Sequence, residues 1–88
     1  MNVSYKTSFT RDLKRIKEKR VKQQIKAAIE EVKEADRLGD ISNMLKMKGH
    51  DTYYRIWVGD YRVGLHVADD EVVFVRCLHR KDIYRAFP

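Results

Sequence analysis

Basic and proton-transferring side chains are concentrated in the last third of the sequence. Residues 53–64 read Tyr-Tyr-Arg-Ile-Trp-Val-Gly-Asp-Tyr-Arg-Val-Gly, and residues 78–84 read Leu-His-Arg-Lys-Asp-Ile-Tyr. Arginine binds two oxygen atoms of a phosphate group at once, and histidine and tyrosine can act as general acids or bases. Together these residue types favour cleavage of a phosphodiester, provided that the fold brings them to one surface.

An RNA strand can be cut without a metal ion when its own 2′-hydroxyl attacks the adjacent phosphorus. The reaction needs a base for that hydroxyl, fixed cations for the growing phosphoryl charge, and an acid for the leaving 5′-oxygen. Arg55 and Arg62 are candidate cations, and His79 and Tyr84 are candidate proton carriers. Trp57 adds an aromatic surface on which an unstacked base can rest.

A β-hairpin is predicted to position these residues. Gly59-Asp60 lies between two runs with period-two alternation and has the composition of a two-residue turn. The turn fixes the register, so that Trp57 opposes Arg62 and Arg55 opposes Gly64. Arg55 and Arg62 are therefore expected on one face of the sheet.

The same alternation divides the remaining strand residues between two faces. One face is expected to rest on helices and carries Tyr54, Ile56, Val58, Tyr61, Val63, Leu65 and Val67. The other is expected to be basic, aromatic and uncovered, and carries Tyr53, Arg55, Trp57, Arg62, Gly64 and His66. Strict alternation through residues 72–79 adds Val73, Val75, Cys77 and His79 to the basic face. It assigns Val72, Phe74 and Leu78 to the core, and leaves Arg76 on the core side unless its side chain reaches the sheet edge.

The N-terminal half predicts a short strand followed by two helices. Residues 2–6 alternate, and apolar residues then recur at helical spacing, first from Phe9 to Ile16 and then from Val21 to Ala35. The predicted fold is α+β. Two antiparallel helices pack on a small, mostly antiparallel sheet, in the order β-α-α-β-β-β with a short C-terminal helical turn. Residues 1–88 are expected to form one domain, and residues 40–52, with Lys46 and Lys48, have the least regular pattern.

Composition limits the function classes. The net charge is +6, and eight lysines and arginines but only two acids lie between Arg11 and Lys26, a pattern that favours nucleic acid or an acidic protein as partner. No apolar run is long enough to span a membrane, and residues 1–6 lack a signal peptide's apolar stretch. The single cysteine, Cys77, fits a reducing compartment, and the three histidines lack metal-ligand spacing. The sequence therefore predicts a cytoplasmic protein with no metal site and no cofactor.

Each candidate residue also has an ordinary structural interpretation. Arg55 could shield Trp57 by a cation–π contact, His79 could cap a strand end, and Tyr84 could pack in a terminal helix. The basic helices could simply present solvated faces. The functional hypothesis therefore depends on convergence of these residues on one face.

The chain resembles the RelE/ParE superfamily of toxin–antitoxin toxins and is most similar to RelE-like mRNA interferases. The resemblance spans nearly the whole length and rests on residues 9–14, 45–49, 53–64 and 78–84. The Tyr-Tyr-Arg-Ile…Gly-Asp-Tyr-Arg hairpin and the His-Arg-Lys…Tyr tail are its most specific parts. The family fold, a small sheet carrying two N-terminal helices, agrees with the pattern-based prediction.

The resemblance implies a role for each site residue. Arg62 corresponds to a phosphate-clamping arginine, Arg80 to an arginine that acts on the leaving group, and Tyr84 to a tyrosine that serves as general base in some members. His79 is the alternative acid–base residue. The remaining RNA- and phosphate-binding candidates are Lys46, Lys48, Arg55, Trp57 and Lys81, of which Lys48 would also assist catalysis.

The resemblance also implies partners. RelE-like toxins cleave mRNA in the ribosomal A site, are held inactive by a cognate antitoxin, and meet operator DNA only through the antitoxin complex. The implied function is thus a metal-independent endoribonuclease that acts on mRNA at the ribosome. The tail motif also occurs in ParE-type toxins, which inhibit DNA gyrase and do not cut RNA, and an attenuated relative that only binds antitoxin is a third possibility.

Overall fold

The computed structural model describes all 88 residues and contains one five-stranded sheet. The strands occur in the order β1-β5-β4-β3-β2, with β1 parallel to β5 and the other neighbours antiparallel. The elements are β1 (Asn2–Tyr5), α1 (Thr7–Arg15), α2 (Lys19–Glu34), a 3₁₀ turn (Leu38–Asp40), β2 (Met44–Lys46), β3 (Tyr53–Val58), β4 (Tyr61–Ala68), β5 (Glu71–His79) and α3 (Ile83–Ala86). The predicted fold class is confirmed, and the order differs only by the added strand β2.

The helical pair forms because apolar residues recur on one side of each helix. Phe9 and Ile16 are buried at the α1 side, and Ile25 and Val32 are buried on α2. They meet the inner side of the sheet, where the buried residues are Ile56, Val58, Val63, Leu65, Val72, Phe74 and Cys77. This single core lies between the helix layer and one sheet face. None of the helices combines the length and apolar character needed to cross a membrane.

The β3–β4 hairpin has the predicted register. Val58 pairs with Tyr61, Trp57 with Arg62, and Arg55 with Gly64. Gly59 has a φ of 58°, which glycine adopts without strain. Arg55, Trp57 and Arg62 therefore lie on the sheet face opposite the α1–α2 layer, which is called the open face below.

Strand β5 departs from the predicted alternation at a β-bulge. Gly64 pairs with Arg76 and Leu65 with Phe74, so that Val75 has no partner on β4. The extra residue reverses the faces of everything that follows it. Cys77 opposes Val63 in the core, and Leu78 opposes Arg62 on the open face, so both assignments from strict alternation are wrong.

Asp12 and Arg76 hold this bulged segment against α1. The Arg76 guanidinium donates from Nε to Asp12 Oδ2 at 2.7 Å and from Nη2 to Oδ1 at 3.2 Å. The Cys77 amide donates to Oδ2 at 2.9 Å, and Ser8 Oγ donates to the Val75 carbonyl at 2.6 Å. Beyond the end of β1, polar side chains of α1 therefore bond to the edge of β5 in place of a neighbouring strand. The Arg76 guanidinium has its hydrogen-bond partner there.

The open face is not bare, contrary to the prediction. The C-terminal segment folds over it, with Ile83 fully buried and Phe87 4% exposed. The Phe87 ring lies directly on Gly64, where an added Cβ would be 2.8 Å from Cγ and Cδ1 of that ring. The middle of the open face is therefore occupied by α3 and Phe87.

Candidate active site on the open face

Arg55 is a half-buried cation of the open face. Its Cζ lies 5.0 Å from the ring centre of Tyr84, within range of a cation–π contact. Its Nε is buried and makes no hydrogen bond. Nη1 and Nη2 also have no hydrogen-bond partner within the protein and are not buried, so they are the donors that an external acceptor can reach.

Arg62 lies beside it, on the cross-strand pair nearer the hairpin turn. Its Cζ is 5.1 Å from the ring centre of Trp57. Nη1 donates to the carbonyl oxygens of Gly59 at 2.8 Å and Tyr61 at 2.9 Å, which fixes the guanidinium over the turn. Nε and Nη2 are left to bind the oxygens of a ligand.

Arg80 and Lys81 follow the end of β5. The Arg80 amide donates to the Asp60 carbonyl at 2.7 Å, and its Nε lies 3.9 Å from Asp60 Oδ1. Both residues are exposed. The backbone bond joins the basic tail to the hairpin turn, so Arg80 can reach a group bound at Arg62.

Lys46 is not on the same face as the arginines. Lys46 pairs with Tyr54, which belongs to the helix-facing side, and its Nζ lies 3.7 Å from Asp51 Oδ1. Lys48 follows in the turn after β2. The residue of β2 that opposes Arg55 is Leu45, which is 50% exposed and adds an apolar surface to the open face. Lys46 therefore does not share the open face with Arg55 and Arg62, because its pairing with Tyr54 places it on the helix-facing side of β2.

His79 also lies away from Arg55 and Arg62. The bulge pairs it with Tyr61, whose ring it meets edge-on at 5.7 Å on the helix-facing side. Its Nδ1 accepts a hydrogen bond from the Lys81 amide at 3.2 Å, so neutral His79 carries its proton on Nε2. The prediction that His79 shares the basic face is wrong, and of the two candidate proton carriers only Tyr84 meets Arg55.

Tyr53, expected on the uncovered face, is already in contact with other aromatic rings. Its ring contacts Phe87 edge-on at 5.5 Å and His66 at 4.9 Å. Phe87 was missed from the sequence, although its four-residue spacing from Ile83 is a helical signal for a shared buried side. Trp57, which is 47% exposed, is the aromatic surface that remains for a base.

Cys77 is chemically inert. Burial raises the pKa of its thiol from 9.0 to about 12, and the nearby Asp12 carboxylate adds to the rise. The thiolate is therefore scarce at neutral pH. The hydrogen bond to Asp12 also raises the pKa of Arg76, which keeps this pair charged.

The open face thus combines two arginines that have unpaired donors, a solvent-accessible phenol and a half-exposed indole. Arginine donors without protein partners can bind phosphoryl oxygens, and a phenol can exchange a proton with a hydroxyl group. This arrangement fits a single-stranded nucleic acid whose phosphate lies on Arg55 and Arg62.

Comparison with known proteins decides the family. Residues 3–84 match the family described as the ParE toxin of the type II toxin–antitoxin system parDE. The chain belongs to this family. It is also 42% identical over its full length to the full length of Toxin RelE3 from Methanocaldococcus jannaschii.

Solved structures share the fold of this chain. The RelB–RelE antitoxin–toxin complex from Methanococcus jannaschii contains a chain that is 40% identical, with a TM-score of 0.79 and coverage of 96% of this chain and 98% of that one. The intact RelBE complex from E. coli matches with a TM-score of 0.70 at 21% identity, covering 89% and 94% of the two chains. The latter likeness concerns the fold alone.

Proposed function

We propose that this chain is the toxin of a type II toxin–antitoxin pair and an endoribonuclease that cleaves mRNA on the ribosome. The observation that carries the proposal is Arg55, whose guanidinium has no hydrogen-bond partner in the protein and lies against the accessible ring of Tyr84. Arg62 supplies further free donors on the same face. Full-length likeness to a protein named as a RelE toxin supports the same reaction class.

In the proposed reaction the scissile phosphate binds to Arg55 and Arg62. Tyr84, reacting as its phenolate, accepts the proton of the 2′-hydroxyl while the hydroxyl oxygen bonds to phosphorus. The bond from phosphorus to the 5′-oxygen breaks, which leaves a 2′,3′-cyclic phosphate and a 5′-hydroxyl. Arg80, which is always protonated, offsets charge on the leaving oxygen, and water supplies the final proton. The nucleophile comes from the substrate, so the reaction needs no metal-bound water.

The lysines and Trp57 are assigned to binding of the strand. Trp57 offers its exposed surface to a base next to the scissile phosphate. Lys46, Lys48 and Lys81 are exposed and contact flanking phosphates around the edges of the open face. His79 is not assigned to proton transfer, because it faces Tyr61 on the other side of the sheet.

Primer extension on translating ribosomes tests the proposed activity. The wild-type protein is expected to produce new 5′ ends within the reading frame of a translated mRNA. Arg62→Ala should remove these ends, while Arg37→Ala, whose side chain is 84% exposed outside the open face, should not. An mRNA that stays intact on translating ribosomes when the folded wild-type protein is added would contradict the proposal.

The ribosome is expected to be held by the basic helices. The lysines and arginines between Arg11 and Lys26 are all exposed. Phosphate contacts by such residues carry little sequence information and release counterions. Affinity for the ribosome should therefore fall steeply between low and moderate salt, and a salt-independent affinity would contradict this part. A protein that acts on translating ribosomes works in the cytoplasm.

An acidic amphipathic segment of the antitoxin is proposed to bind the groove between α1 and α2. This groove has a volume of about 360 Å³, an apolar floor of Leu13, Ile25 and Ile29, and a basic rim of Lys14, Lys22 and Lys26. Such a surface fits a helix with one apolar and one acidic face. The comparison complex from Methanococcus jannaschii contains an antitoxin, which supports the class of partner. Operator DNA would be reached only through that partner.

Lys22→Glu with Lys26→Glu tests the groove. Co-purification with the protein encoded beside this chain should be lost in the double variant. The matched control, Lys17→Glu with Lys19→Glu, changes the charge equally outside the groove and should keep the complex. Retention of the complex by both pairs would exclude the groove as the contact.

Inhibition of DNA gyrase is the second candidate function. It is favoured by the ParE description of the matched family. The exposed helical pair and the tail would then form a protein-docking surface without hydrolytic chemistry. A supercoiling assay separates the two functions, because the ribonuclease proposal predicts unchanged gyrase activity. A protein that neither cuts mRNA nor inhibits gyrase yet binds its antitoxin would be an attenuated relative.

A further inference from the structure

Helix α3 is too short to be stable by itself. It contains four residues, from Ile83 to Ala86, whereas isolated helices need about 12–15 residues to persist in water. Its position must therefore come from side chains that dock on the sheet. The two that do so are Ile83 and Phe87, which are 0% and 4% exposed and, at a spacing of four, lie on the same side of the turn.

Phe87 docks on Gly64, and glycine alone allows this contact. A Cβ at position 64 would lie 2.8 Å from the ring of Phe87, which is inside any normal carbon–carbon contact. Tyr53 meets the ring edge-on at 5.5 Å and closes the other side. The Phe87 amide donates to the Ile83 carbonyl at 3.0 Å, so the ring and the helical turn are joined rigidly.

This docking point is adjacent to Arg55. Gly64 is the cross-strand partner of Arg55, and Tyr84 precedes Phe87 by three residues in the same turn. The Tyr84 ring, 5.0 Å from the Arg55 guanidinium, is 71% exposed, so contacts of its own do little to hold it. The ring that fixes the turn to the sheet also fixes where the phenol lies.

We infer that Phe87, docked on Gly64, is a positioning residue that holds Tyr84 over Arg55 for the cleavage step. This inference rests on the proposed function, in which Tyr84 takes the proton of the attacking hydroxyl. Loss of the Phe87 ring frees the turn without opening the core between the helices and the sheet, to which Phe87 does not belong. A displacement of the base by about 1 Å can lower a rate by about 100-fold.

A double-mutant cycle between positions 64 and 87 tests the docking. Gly64→Ala and Phe87→Ala should each lower the single-turnover cleavage rate at saturating ribosome by about 10- to 100-fold, with little change in the half-saturating ribosome concentration. The double variant should be no slower than Phe87→Ala alone, because the added methyl group then has room. In a Tyr84→Phe background, Phe87→Ala should have no further effect. Val32→Ala, which removes core packing on α2, lowers the melting temperature but should leave the cleavage rate unchanged.

An NMR measurement on the free protein separates this inference from the proposed function. The Tyr84 ring should shift the Arg55 side-chain protons in the wild type, and this shift should vanish in Phe87→Ala and persist in Val32→Ala. If the wild type cleaves no RNA but the shift behaves in this way, the proposed function fails and the positioning role stands. If the shift persists in Phe87→Ala, or if that variant cleaves at the wild-type rate, the inference is wrong.

Discussion

Replacement of Asp12 by alanine is expected to lower the free energy of unfolding by about 3 kcal/mol. Asp12 is 2% exposed and accepts three hydrogen bonds, two from the Arg76 guanidinium and one from the Cys77 amide. These bonds attach α1 to the bulged part of β5. The bulge determines which later residues of β5 lie on the open face. The contact of Asp12 with β5 therefore stabilises the site from the helix-facing side of the sheet.

The magnitude follows from the groups that lose their partner. The Cys77 amide would be left buried and unsatisfied, which costs about 1–3 kcal/mol. The charged bonds to Arg76 would add about 1.5–3 kcal/mol in full burial. The Arg76 side chain is 24% exposed, so water recovers part of that loss and the two contributions do not add fully. Asp12→Asn keeps an acceptor for the Cys77 amide and should lose about half as much.

Urea denaturation followed by circular dichroism measures both losses. Arg76→Met tests whether the stabilities contributed by Asp12 and Arg76 depend on each other. The double variant Asp12→Ala with Arg76→Met leaves no unpaired charge, so it should lose less than the sum of the two single losses. The coupling free energy between the two positions should be at least about 1 kcal/mol. A loss below about 1 kcal/mol for Asp12→Ala, or additive losses in the double variant, would refute the reasoning.

Three further outcomes are expected. Arg62→Ala should reduce single-turnover cleavage by about 100- to 1,000-fold and stability by about 1 kcal/mol, because the side chain also bonds two carbonyls of the hairpin turn. Arg80→Ala should lower cleavage without a measurable change in melting temperature, since its side chain is 58% exposed and its ion pair is long; normal growth inhibition by this variant would contradict its role. Cys77 has a pKa raised in the folded state from 9.0 to about 12, so its contribution to stability is present below pH 9 and is lost as the pH rises from 9 towards 12. Between pH 8 and pH 10 the wild type should lose about 1.4 kcal/mol more than Cys77→Val in urea denaturation, and equal losses would show that the thiol is not the group responsible.

The hairpin could be predicted from the sequence because its register depends on local features. A two-residue turn at Gly59-Asp60 leaves one possible pairing, and period-two alternation then assigns each side chain to a face. Arg55, Trp57 and Arg62 accordingly lie together on the open face. The helical pair was predictable for the same reason, since its apolar spacing is local.

The bulge in β5 could not be predicted from alternation, which assumes that every residue has a partner. One unpaired residue, Val75, was enough to move His79 to the helix-facing side and Leu78 to the open face. One feature of the sequence argued against strict alternation, because that pattern left the charge of Arg76 on the core side. Its partner, Asp12, lies at i+3 from Phe9 on the apolar side of α1, which is the matching signal.

The cover over the open face depends on contacts distant in sequence. Phe87 docks on Gly64, and nothing local to either residue specifies that pairing. The strand β2 is similar, because three residues with weak alternation form a strand only through their pairing with β3, and that pairing directs Lys46 away from the arginines. Tertiary packing determined these elements.

A single 2′-deoxy nucleotide at the cleavage position tests the central claim most directly. On ribosomes programmed with an otherwise identical mRNA, the substitution removes the proposed nucleophile and leaves binding by Arg55, Trp57 and Arg62 in place. We expect cleavage of the all-ribose mRNA to leave a 2′,3′-cyclic phosphate, and cleavage at the deoxy position to disappear while the toxin still binds. Cleavage of both messages at equal rates would show that the 2′-hydroxyl is not the nucleophile and would contradict the proposed chemistry of the open face.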